Sequence, residues 1–235
     1  MQCFTGQTFE SWQDRPSLLP WQRGRFFEDL EFLECVFDRC LISVTADPHR
    51  RSRARNLRFV NCSAKAVTIY SLEAERVVVD GLRTESLLQV VGAVFKHCIL
   101  KGKIGSIMIC GPRGDTGSIQ ERQLLEQCNA KFYSDVDWAL DISGGEFSEI
   151  DLRGVPGHLI KRDPSTQALV SRQRALEGKW RELDLSGTHW PIALEKLAES
   201  GRTSEVFVAG RGARNFKKLL DGLNRLRDAG VAELE

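Results

Sequence analysis

The 235-residue chain reads as mainly β, a right-handed β-helix (β-solenoid) with an α/β C-terminal tail, and three observations lead there. In FEDLEFLECVFDRCLI (residues 27–42), Phe27, Phe32, Phe37 and Ile42 recur every fifth residue, and Leu30, Cys35 and Cys40 keep the same step. A helix repeats near 3.6 residues and a strand at 2, so a step of five needs a chain that turns a corner about every five residues. Next, FDRC (37–40) returns as FVNC (59–62), VVVD (77–80) and FKHC (95–98), at spacings of 22, 18 and 18 residues. A period near 20 marks a stacked array whose units bury apolar surface against their neighbours. Finally, AVTIY, RVVVDGL and LLQVVGAVF are short, β-branched pieces that leave no room for a crossover helix.

Taken in order, residues 1–155 are expected to form the solenoid after an N-terminal lead-in, with an arginine-rich loop at 46–56 bulging from one coil. The pattern breaks over 104–131, where GPRGDTG is turn chemistry and SIQERQLLEQC has the apolar spacing of a short helix. FYSDVDWALDIS then resumes as strand, with Asp135 and Asp137 on one face and Val136 and Trp138 on the other. Residues 156–235 change character. STQALVSRQRALEGKW predicts a helix between Pro164 and Gly178, WRELDLSG a strand and PIALEKLAES a helix with Pro191 at its start. SEVFVAG follows as strand, and ARNFKKLLDGLNRLRDAG as a helix ending at Gly230. This tail is a cap or an appendage, capping being expected because a terminal coil exposes core and unpaired strand edge.

The pairs Cys35 with Phe37 and Cys40 with Ile42 resemble the pentapeptide-repeat proteins, which place Phe or Leu at a central inward position and a small residue two before it. Phe32 departs by having Leu30 at the small position, and a second patch is Ile142, Phe147 and Leu152. The resemblance covers about 40 residues and implies a β-helix. Members that bind gyrase imitate DNA with a strongly acidic rod, which the near-neutral balance here opposes.

A hydrophobic share of 42% and a charged share of 28% describe an ordinary globular protein. The start of the chain lacks a basic segment followed by an apolar run, so a cytoplasmic protein is expected, with no membrane partner. Seven cysteines (Cys3, Cys35, Cys40, Cys62, Cys98, Cys110, Cys128) without a CxxC pair fit reduced thiols rather than a disulfide framework or zinc site. The net charge of +1 is segregated: residues 1–47 hold eight acidic and four basic side chains, HRRSRAR at 49–55 holds four arginines, and Asp135–Asp151 is acidic again.

The chemistry-bearing motifs are weak as they stand. Gly210-x-Gly212 after a strand lacks the third glycine of a dinucleotide loop, and GPRGDTGS lacks the lysine of a phosphate loop. His49, His97, His158 and His189 lie in separate segments, and the recurring cysteines read as small core residues. No cofactor and no metal are therefore expected. Paired carboxylates can cleave sugars, which makes Asp135, Asp137 and Asp141 the sites for an alternative reading as a carbohydrate-active enzyme. A further alternative is a DNA mimic, or nucleic-acid binding through the arginine loop, which no aromatic residue interleaves. The preferred expectation is a non-enzymatic bacterial protein-binding solenoid, an immunity protein neutralising a toxin or an adaptor. Its expected contacts are Arg51, Arg53 and Arg55 for an acidic partner, and Asp135, Asp137 and Asp141 for a basic one.

Overall fold

The computed structural model describes residues 1–15, 24–114 and 117–233. Its first half is strands with one 3-10 turn (Pro48–Arg50): β1 (Gln2–Thr5), β2 (Thr8–Glu10), β3 (Phe26–Glu28), β4 (Leu30–Leu33), β5 (Val36–Asp38), β6 (Leu41–Ile42), β7 (Arg53–Arg55), β8 (Arg58–Lys65), β9 (Thr68–Tyr70), β10 (Glu73–Glu75), β11 (Val78–Thr84), β12 (Leu88–Val91), β13 (Val94–Lys96) and β14 (Cys98–Cys110). Helix α1 (Ile119–Tyr133) precedes β15 (Leu140–Asp141), β16 (Gly145–Asp151) and β17 (Ile160–Lys161). The tail holds β18 (Gln167–Ser171), α2 (Arg172–Glu177), α3 (Trp190–Glu199), β19 (Ser204–Val208) and α4 (Phe216–Asp228).

The mainly β solenoid expected from the repeat is corrected by this arrangement, which is α/β. Large parallel sheets form a curled half-barrel, its eight parallel strands turning through 233°, accompanied by four α-helices among the described residues. The strand path runs β1-β4-β8-β11-β14-β12-β9-β6, and a separate parallel sheet runs β13-β10-β7-β3. The physical reason lies in the long strands. β14 pairs with β11 from Ile99 to Ile104, with β16 from Gly102 to Met108, and with β12 from Ile107 to Cys110. Backbone that the sequence reading divides into separate flat sides thus stays in one ladder through the bend, and the path folds back at β14.

The five-residue step has a backbone cause. Asn56, Asn61, Ala66, Ser71 and Arg76 all carry positive φ, as do Asp29, Glu34 and Arg39 before them. A left-handed residue turns an extended chain sharply, at a steric penalty of about 1–2 kcal/mol without glycine. Inward rings offset that penalty by stacking from strand to strand: Phe4 on Phe32 at 5.2 Å, Phe32 on Phe59 at 4.8 Å, and Phe9 on Phe37 at 5.1 Å between centroids. Buried cysteines sit between the rings, and each thiol donates to a carbonyl of an adjoining strand. Cys35 reaches Phe4 O at 3.4 Å, Cys40 reaches Phe9 O at 3.2 Å and Cys62 reaches Phe32 O at 3.3 Å. Burial pushes the Cys40 and Cys62 thiols above their ordinary value and Cys98 to about 11, which keeps them protonated and unreactive.

Three local expectations also change. Helix α1 extends to Tyr133, so the chain around Asp135 is turn, and strand resumes only at Leu140. The segment expected as one helix after Pro164 is β18 followed by the short α2, because Ala168, Leu169 and Val170 are all buried and pair antiparallel with β19. WRELDLSG holds a 3-10 turn (Lys179–Glu182) rather than a strand. The antiparallel β18–β19 pair separates two cores. Leu169, Val206 and Val208 join the core of the curled sheet, while Ala168, Val170 and Phe207 pack with Trp190, Leu194 and Leu223 beneath α3 and α4.

Candidate functional site

The arginines expected to greet an acidic partner are already engaged. Arg51 is buried, with Nε donating to Pro48 O at 3.1 Å and a terminal amine to Asn129 Oδ1 at 2.9 Å, which ties the loop after β6 to α1. Burial works against its charge and Glu73 partly restores it. Arg53 lies 3.4 Å from Glu73, and Arg55 lies 3.5 Å from Glu75 and 3.8 Å from Glu28, across neighbouring strands of the four-stranded sheet. Such cross-strand pairs steady the sheet and dilute the charge available to a partner.

The three aspartates are each turned to a different neighbour. Asp135 is exposed beside Ser134. Asp141 accepts from Ser143 N at 3.0 Å and Ser143 Oγ at 2.6 Å, closing a turn. Asp137 meets His97 Nε2 at 2.6 Å, and that hydrogen bond holds its carboxyl below the usual carboxylate range. Above this pair, the His97 ring packs on Trp138 at 4.7 Å, with Lys161 Nζ 3.9 Å from the Trp138 ring on the neighbouring strand. Sequence reading selects Asp137 but sets its neighbour Trp138 on the opposite face and leaves out His97 and Lys161, which come from segments brought together by the parallel stacking.

A different set of residues forms a cleft with a charged lining. It has a volume of about 440 Å³ and lies between the end of β16, helix α3, strand β19 and the loop into α4. Its charged lining comprises Glu149, Asp151, Arg153, Lys196, Glu205 and Arg214, with His189 beside them. Arg153 Nε clamps both oxygens of Asp151, at 2.8 and 2.7 Å, and this pairing raises the arginine's pKa. Glu205 is bonded to Arg202, yet burial pushes its carboxyl above the usual value, aided by the nearby Asp151 charge. His189 packs on Trp190 at 4.2 Å; crowding by protein atoms lowers its pKa, with Glu149 and Asp151 pulling the other way. The sequence gives no sign of this cleft, since its walls are drawn from three separate segments, residues 148–153, 189–196 and 205–219.

The loop that closes the cleft explains Gly210 and Gly212. A Cβ on Gly210 would stand 2.4 Å from Phe147 O, and one on Gly212 would stand 3.0 Å from the same oxygen, to which the Gly212 N–H donates at 2.9 Å. The two glycines allow the tail to dock flush on β16, and Arg211 is spent on Asp163 and Ser165. The pair therefore reads as a packing device rather than a dinucleotide loop. Of GPRGDTGS, Asp115 and Thr116 lie outside the described residues. Among the described residues no cluster of three or more His, Cys, Asp or Glu side chains is placed to hold a metal, and no helix is long and apolar enough to cross a membrane. No family model and no curated protein matches the chain.

Proposed function

We propose that this chain is a non-enzymatic protein-binding module, an immunity protein that neutralises a toxin or an adaptor working in the cytoplasm. The observation that carries the reading is the cleft between β16 and the tail, a groove whose walls are packed in advance and whose Asp151 and Glu205 carboxylates are held by Arg153 and Arg202. Pre-packed walls reduce the ordering entropy lost on association, and fixed charges select and orient a partner. The sheets add to this framework through cross-strand pairs such as Arg58 with Glu31 at 2.9 Å and Lys101 with Asp80 at 3.1 Å.

The carbohydrate-active alternative has less support, because Asp135, Asp137 and Asp141 are engaged by Ser134, His97 and Ser143 in turn. The test is affinity capture from the native host, with the retained complex mapped by amide hydrogen exchange. A stoichiometric protein partner that protects residues 148–151 or 189–196 supports the reading. Recovery of the chain alone, or a sugar-processing activity lost on joint substitution of Asp135 and Asp137, overturns it.

A further inference from the structure

Two strand edges line the cleft. Among the described residues β16 pairs only with β14, and no strand lies along its other edge. The Phe147 carbonyl points to that open side, where Gly212 donates to it. Successive residues of an extended strand turn their peptide groups to alternate sides, so the N–H and C=O of Glu149 and Asp151 face the cleft as well. On the other wall, β19 pairs only with β18 among the described residues. Arg172 N donates to Thr203 O and Ala209 N to Thr166 O, so the alternate residues between them, Val206 and Val208, turn their peptide groups away from β18. A groove edged in this way presents donors and acceptors at strand spacing, the arrangement that captures an extended segment by strand addition.

Charge selects among such segments. Asp151 is neutralised by Arg153 and Glu205 by Arg202. His189 is biased towards its neutral form. Lys196 and Arg214 line the cleft and form no ion pair among the described residues, against the single unpaired carboxylate Glu149. Two free cations against one free anion favour an acidic guest.

We propose that the cleft takes an acidic, extended segment of a partner protein as an added strand along the β16 edge. The inference rests on the protein-binding reading and names its site and the partner's chemistry. It is tested with labelled eight-residue probes in which Val alternates with Glu or with Lys, measured by fluorescence anisotropy on the full chain. The Glu probe is expected to bind at least tenfold more tightly than the Lys probe. Joint substitution Lys196→Ala and Arg214→Ala, both exposed, should erase that preference while the circular dichroism spectrum stays that of the parent chain. N-methylation of alternate probe amides should abolish binding in the phase whose amides face β16.

Equal binding of the two probes, a preference for the Lys probe, or indifference to N-methylation in both phases overturns the proposal. Protein capture that persists in the Lys196 and Arg214 double variant with residues 148–151 unprotected overturns it while leaving the protein-binding reading in place. Absence of any protein partner removes that broader reading instead.

Discussion

Replacing Gly210 by alanine tests how the tail is joined to the curled sheet. The added Cβ would lie 2.4 Å from Phe147 O and 3.2 Å from Phe147 C, both backbone atoms of β16. That strand is held in register by β14, so the loop must move outward by about 1 Å to reach ordinary contact. A shift of that size also opens the 2.9 Å bond from Gly212 N–H to Phe147 O. Overpacking costs about 1–3 kcal/mol and a lost hydrogen bond about 0.5–1.5 kcal/mol, giving roughly 2–4 kcal/mol together. For a chain of this size the Tm should fall by about 4–16 °C. The comparison is Gly201→Ala, where nothing lies within 4 Å of the new Cβ and stability should change by less than about 0.5 kcal/mol. Urea and thermal unfolding of the two variants decide the matter: if G210A and G201A unfold at the same midpoint, the tail is not packed on β16 through this loop.

Further outcomes follow from buried and titrating groups. Asp14 is almost fully buried and accepts from Ser52 Oγ at 2.6 Å and Ser43 N at 3.1 Å, with Arg25 Nε at 3.2 Å, so Asp14→Ala should lose about 3 kcal/mol in urea unfolding; a loss below about 1 kcal/mol would contradict the arrangement. Thiol labelling of the native protein should reach exposed Cys3 at once and Cys35, Cys40, Cys62 and Cys98 only after unfolding, and rapid labelling of all would refute the buried ladder. Glu205 has a folded pKa raised above 4.5, so its protonation contributes stability that is complete below 4.5 and lost as pH rises through the folded value; Glu205→Gln should remove that component, measured as the difference in urea midpoint between the two proteins from pH 4 to 8. A difference that does not change with pH would place Glu205 in water.

The residues that pack inward were legible in the chain because they depend on local spacing. Phe27, Phe32, Phe37 and Ile42 all line the interior of the curled sheet, and Cys35, Cys40, Cys62 and Cys98 are buried beside such rings. The fold class was not legible. Whether a bend ends a strand or leaves it paired depends on both neighbours, and β14 keeps its ladder with β11, β16 and β12 through the bend. Composition likewise marked HRRSRAR and the 135–151 stretch as charged, but the glutamates that neutralise Arg53 and Arg55 lie about 20 residues away along the chain, or further. By itself the sequence determined the five-residue turning of the backbone, the inward rings and small thiols, and the helices at Pro191 and before Gly230. Tertiary structure alone decided that the parallel strands curl into a half-barrel and that Ala168–Val170 is strand rather than helix. It also decided that Glu149, Lys196, Glu205 and Arg214 share one cleft, since the docking of Gly210 and Gly212 on β16 brings them together at a distance no local pattern encodes.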